Sequence, residues 1–137
     1  TDDFGDTGAD GTLEAGGSNI TVTAGFYIVT LDLESLTYTI EQADIYGVVG
    51  SGYNDWGAAG PDFSFTPLSN NIWVAEIVAL VDGEIKFRKN NTWTEDFGDT
   101  GANGTLDAGG DNIAVTAGNY RIILNLTDST YQLNKIN

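Results

Sequence analysis

Large apolar residues recur at every second position along much of this chain. In residues 26–33, Tyr27, Val29, Leu31 and Leu33 share one face, and Tyr120, Ile122, Leu124 and Leu126 keep the same phase 93 residues later. The pattern predicts strands whose alternating residues face a core. Short flanking strands are predicted around Ile20/Val22 and Tyr38/Ile40, joined by hairpin-length connections at Ala24-Gly25 and Glu34-Ser35-Leu36. Further strands are predicted over 45–49, 72–80 and 84–89, with Asp82-Gly83 as a two-residue hairpin signal between the last two. No window carries a helical apolar stripe, and 18 glycines in 137 residues would weaken any helix. About seven short strands in a unit of this size predicts an all-β fold, an antiparallel immunoglobulin-like β-sandwich.

The shared phase belongs to a longer repeat. Residues 1–42 align without a gap on residues 94–135, and 25 of the 42 positions are identical. Residues 43–93, which hold all three tryptophans, occur once. The offset is the size of a small domain, so a complete unit reads as 43–137, and 1–42 reads as the rear half of a preceding tandem repeat. Residues 1–42 then carry core-type residues without the strands that would cover them. Such a sheet is expected to recruit a partner: either it competes with 94–135 for the one front half, or it takes complementary strands from a neighbouring chain, by strand exchange or head-to-tail self-assembly.

Charge and composition remove whole classes of function. With 20 Asp and Glu against 5 Lys and Arg, the formal charge is −15, which argues against nucleic acid as a partner. The absence of Cys and His excludes thiolate nucleophiles, Ser-His-Asp chemistry, structural zinc and disulfides, and leaves only oxygen ligands for a metal. No apolar run is long enough to span a membrane as a helix.

Three of the five basic residues fall in Ile85-Lys86-Phe87-Arg88-Lys89. On a strand, Ile85 and Phe87 face the core while Lys86 and Arg88 project from the other side. Relief of repulsion around Glu76, Asp82 and Glu84 would explain them. Their company points further: Trp56 lies in the Gly-rich loop Ser51-Gly52-Tyr53-Asn54-Asp55-Trp56-Gly57, and Trp93 follows the basic strand across an Asn-Asn turn. Indole faces stack on the C–H faces of pyranose rings, and Lys, Arg and Asn read the rim of hydroxyls. Trp73 lies inside the strand Asn71-Ile72-Trp73-Val74 and reads as packing.

These residues carry a resemblance. Tyr46-Gly47-Val48-Val49-Gly50, the Trp56 loop, Asn71-Ile72-Trp73, the run Asp82-Gly83-Glu84-Ile85-Lys86-Phe87-Arg88, Trp93, and Ala108-Gly109-Gly110-Asp111-Asn112-Ile113 resemble a domain of the SusE/SusF family. These are outer-membrane lipoproteins of Bacteroidota that display starch-binding β-sandwich modules. The Trp56 loop, Ile85-Lys86-Phe87 and Trp93 are also similar to the glycogen-binding module of AMP-activated kinase β subunits. That second similarity implies Trp56 and Trp93 as stacking platforms and Lys86 as a hydroxyl donor, and Asn112 matches a further polar contact. Arg88 belongs to the SusE/SusF-like pattern. The resemblance implies a non-catalytic module for α-glucan, without cofactor, in a lipid-anchored protein of the cell surface, outer membrane or extracellular space.

The segment Gly5-Asp6-Thr7-Gly8-Ala9-Asp10-Gly11-Thr12-Leu13-Glu14 and its twin place acidic or amide groups at every fourth residue: Asp6, Asp10, Glu14 and Asp99, Asn103, Asp107. Calcium accepts oxygen ligands, but an EF-hand wants them at alternate positions. A solvated Gly-rich connection is the simpler reading, with calcium as the alternative. Two other functions compete with sugar binding. In one, the repeat is a structural element of a surface stalk, adhesin or filament. The other is a glycosidase, but 20 carboxylates make chance pairs at hydrolase distance inevitable, so it would need a cleft and a raised pKa.

Overall fold

The computed structural model describes residues 3–137. The chain divides into two compact units, one ending at Asp44 and the other running from Ile45 to Asn137. All regular structure among the described residues is strand, apart from one short 3-10 turn at Asp55–Gly57.

The first unit consists of two antiparallel ladders. Strands β1 (Phe4–Gly5) and β2 (Glu14–Ala15) pair with each other, as do β3 (Tyr27–Asp32) and β4 (Thr37–Gln42). A bridge between Thr12 and Thr37 ties the two ladders together.

The second unit has two sheets. Its strands are β5 (Tyr46–Val49), β6 (Phe63–Ser64), β7 (Thr66–Pro67), β8 (Ile72–Leu80), β9 (Gly83–Lys89), β10 (Asp96–Gly98), β11 (Asp107–Ala108), β12 (Ile113–Val115), β13 (Gly118–Asn125) and β14 (Thr130–Lys135). One sheet has the order β11-β10-β9-β5-β6, with β12 also paired to β9, and the other has the order β14-β13-β8-β7. Every pairing is antiparallel. Val48, Ile85 and Phe87 from the first sheet and Val78, Ile122 and Leu124 from the second are fully buried in one core, and Phe65 crosses between. This is the all-β sandwich that the alternation predicts.

Strand β8 is apolar at almost every position, so alternation alone does not assign its faces. A β-bulge decides it: Tyr120 pairs with Val78, but Ile122 pairs with Ala75, so Glu76 and Ile77 together oppose Arg121. Val78 and Leu80 are thereby turned inward, and Ile77 is left 63% exposed.

The two copies of the repeat build the same local structure. Phe4 pairs with Ala15 as Phe97 pairs with Ala108, and Leu31 pairs with Tyr38 as Leu124 pairs with Tyr131. Gly5 and Gly98 are required by close approach, because a Cβ at either would collide with a backbone carbonyl of the following loop.

Two expectations fail in the first copy. No strand forms around Ile20/Val22, although the equivalent Ile113–Val115 is β12. The cause is the missing partner: β12 exists by pairing with Gly83, Glu84 and Ile85 of β9, and residues 1–42 contain no counterpart of that strand. Nor do Val29, Leu31 and Leu33 face a core, being 58%, 59% and 63% exposed, whereas Ile122 and Leu124 are fully buried.

Candidate functional site

Loop 50–62 folds back over the outer face of β5 and β9. Asn54, only 4% exposed, organises it. Its side-chain carbonyl accepts from the N–H groups of Gly50 and Gly57, and its amide donates to the Gly60 carbonyl and to Asp62. The tight turn forces Asp55 and Trp56 into the left-handed region, with φ of 50° and 57°. Non-glycine residues adopt that conformation only where the surroundings impose it, and such positions cluster at binding sites. The turn lifts the Trp56 indole toward Trp93.

Trp93 is delivered from the other side. Asn90 and Asn91 both take left-handed backbone at the end of β9, reversing the chain, and the Asn91 side chain accepts from the Asp62 N–H at 3.3 Å. The ring centroids of Trp56 and Trp93 lie 6.1 Å apart with their planes 41° from parallel. Trp93 is 48% exposed and Trp56 is half-buried.

Arg88 projects from the outer face of β9, as strand alternation implies, but it does not reach open solvent. It is 6% exposed, because loop 50–62 covers it. Its Nε donates to Asp62 Oδ2 at 2.6 Å and its Nη2 to Asp62 Oδ1 at 2.8 Å, a bidentate pair. The guanidinium carbon sits 4.5 Å from the centroid of the Trp93 ring, in cation–π contact.

Lys86 shares the outward face of β9 and is paired with Asp96, both groups being largely buried. Asn112 is exposed and donates to Glu84 at 2.9 Å. Glu84, Lys86 and Arg88 therefore form one stripe along β9 at intervals of about 7 Å, each with a partner, ending beneath the two indoles. The structure thus brings Trp56, Arg88 and Trp93 into direct contact and sets Lys86 and Asn112 further along the same face. Trp73 is packing: its ring meets Tyr46 edge-on at 5.0 Å.

The family comparison bears on this unit. The model of the SusF/SusE starch-specific carbohydrate-binding modules matches residues 45–132. The chain belongs to this family. It is accordingly a starch-binding module of a family that is in general non-catalytic. A comparison with curated proteins finds no match to the chain.

Sequence reasoning missed two residues of this SusF/SusE module, Asn54 and Asp62. Both are buried polar groups whose hydrogen bonds shape the site without facing solvent. Asp62 is one of 20 carboxylates, and nothing in its neighbourhood along the chain ties it to Arg88. Asn54 carried a faint signal, as an Asn at the start of a Gly-rich turn.

The acidic segments lie apart from these tryptophans in sequence and serve their own loops. Asp6, Asp10 and Glu14 bring ligand atoms within 4.8 Å of one another. Asp6 accepts from the N–H groups of Asp10 and Gly11 and from Tyr38 Oη, and the Thr12 hydroxyl bridges Asp10 and Glu14. Asp99 makes the matching bonds to Asn103, Gly104 and Tyr131, and the Thr105 hydroxyl joins Asn103 to Asp107.

Proposed function

We propose that this module binds α-glucan by stacking sugar rings on Trp56 and Trp93, with Lys86, Asp96 and Asn112 meeting hydroxyls further along β9. Arg88, whose Nε and Nη2 are engaged by Asp62, acts from beneath as the support of Trp93. The observation that carries this reading is the pairing of two indoles 6.1 Å apart and tilted by 41°. An α-1,4-linked chain curves, and two tilted platforms follow a curve, whereas a flat β-1,4 ribbon favours coplanar ones. Each platform contributes about 1–3 kcal/mol in sites of this kind. The family match supports the same ligand class, and a surface-displayed, lipid-anchored parent protein suits a module of this sort.

Titration calorimetry with maltoheptaose, and with cellohexaose as control, tests it. Binding of the first but not the second is expected, weakened by Trp56→Ala and by Trp93→Ala. Unchanged affinity in both variants would remove the platform assignment even with starch binding intact.

A further inference from the structure

The basic and amide groups expected to read sugar hydroxyls are already engaged. Arg88 is buried beneath Trp93 and bonded to Asp62, and Lys86 is paired with Asp96, both groups being largely buried. Asn112 donates to Glu84, which lies about 13 Å along β9 from Arg88. A ring stacked on the two indoles needs a polar group nearer its own rim.

The turn that carries Trp93 supplies one. Residues 89–92 form a tight turn closed by the Thr92 N–H on the Lys89 carbonyl, with Asn90 and Asn91 both at φ of 55°. Asparagine is among the few side chains that tolerate two such positions in succession. The two amides point to different partners. The Asn90 side-chain oxygen accepts from the Ile45 N–H at 2.9 Å, just before β5. The Asn91 side-chain oxygen accepts from the N–H of Asp62, at the end of the loop that folds over the outer face. One asparagine thus anchors the turn to the sheet, and the other reaches onto the side where the indoles stand.

Of the two ends of an amide only the oxygen accepts from an N–H, so the bond from Asp62 decides which way the Asn91 amide faces. Its oxygen is held against the loop, and its NH2 group, with two donors, is directed away from Asp62. Asn91 is exposed, and among the described residues its amide nitrogen has no hydrogen-bond partner. Asp62 also holds Arg88, whose guanidinium lies 4.5 Å from the centroid of the Trp93 ring. The same buried residue therefore sets both the position of the platform and the direction of the donor. A donor fixed before the ligand arrives loses little freedom on binding, and it selects against a ring that lacks the matching hydroxyl.

We propose that Asn91 is a specificity residue of the sugar site, its side-chain amide donating to a hydroxyl oxygen of the glucose ring stacked on Trp93. This rests on the reading of Trp56 and Trp93 as platforms, and it adds what stacking lacks, since a C–H face alone does not distinguish one hexose from another.

The test begins with the unaltered protein. Titration of isotope-labelled protein with maltoheptaose, followed by nuclear magnetic resonance, should shift the Asn91 side-chain amide together with the indole N–H resonances of Trp56 and Trp93. Indole resonances that move while the Asn91 amide stays in place overturn the assignment and leave the platforms standing. Indole resonances that do not move overturn the platform reading and this assignment with it. A cycle between protein and ligand then separates contact from support. Asn91→Gly keeps the left-handed backbone, and maltotriosides lacking one hydroxyl at a time remove the acceptors singly. One of these deoxy sugars is expected to bind the unaltered protein about fivefold more weakly than the parent maltotrioside, and to bind Asn91→Gly as well as the parent does. Equal losses in both proteins for every deoxy sugar overturn the assignment, because a turn that merely supports Trp93 changes the affinity for all of these sugars alike.

Discussion

The guanidinium of Arg88 lies 4.5 Å from the centre of the Trp93 ring while Asp62 holds it by two hydrogen bonds. One face of Trp93 is thus spent on a cation that is itself fixed, which orients the exposed remainder of the indole. Arg88→Lys keeps the charge but loses the planar fork and the stacking. It is expected to weaken maltoheptaose binding and to lower the melting temperature. Arg88→Ala strands the buried Asp62 charge and should cost about 3–5 kcal/mol of stability. Calorimetry with sugar and thermal unfolding without it separate the two effects; a Lys variant that binds as the native protein does would show that the stacking does not orient Trp93.

Asn54 ties the Trp56 turn to Asp62, and so connects the two platforms through buried hydrogen bonds. Asn54→Ala removes the acceptor for the Gly50 and Gly57 N–H groups and one donor to Asp62. A destabilisation of about 1–3 kcal/mol is expected for the donors left unpaired. Sugar affinity should fall as the Trp56 turn loosens, and increased quenching of tryptophan emission by acrylamide is the readout.

The sandwich was legible because its signal is periodic. Tyr120, Ile122 and Leu124 alternate without interruption, and Asp82-Gly83 marks the turn beside them. The bulge at Glu76-Ile77 was not legible, since every neighbouring position on β8 is apolar or small and either phase fits. The failure at Ile20/Val22 has a different origin. A strand is a relation between two segments, and the same residues form one at Ile113–Val115 only because β9 is there. In the site, Trp56 and Trp93 stand out as indoles in polar turns. The burial of Arg88 depends on where loop 50–62 folds, and no local pattern encodes that.

The Asp99–Tyr131 pair makes stability depend on pH at both extremes. Burial of Tyr131 and its hydrogen bond to Asp99 push the phenol above its usual value of 10.0. The folded state therefore keeps a proton that the unfolded chain releases, and the stabilisation, complete below about pH 10, is lost as pH rises toward the folded value. Burial opposes ionisation of Asp99, but the N–H groups of Asn103 and Gly104 and the Tyr131 hydroxyl outweigh it and hold the carboxyl below 3.8. Its contribution is present above that value and is lost as pH falls through the lowered one. Tyr131→Phe should flatten the alkaline side of a plot of melting temperature against pH. In the first copy, the hydrogen bond to Asp6 raises Tyr38 to about 12, so Tyr38→Phe should remove a late step from the phenolate absorbance titration.

Leu31 and Leu124 occupy the same place in the repeat, pair with equivalent tyrosines, and differ only in what covers them. Leu124 is fully buried and Leu31 is 59% exposed. Leu124→Ala should destabilise the sandwich by about 2–5 kcal/mol through lost burial and the cavity left behind. Leu31→Ala should change it by no more than about 0.5 kcal/mol, as for a surface substitution. All three tryptophans lie in residues 45–137, so their emission during urea unfolding reports on that unit alone. The comparison belongs in dilute solution, where each chain is alone. A Leu31→Ala variant as unstable as Leu124→Ala under those conditions would show that exposure does not decide the cost of losing this side chain.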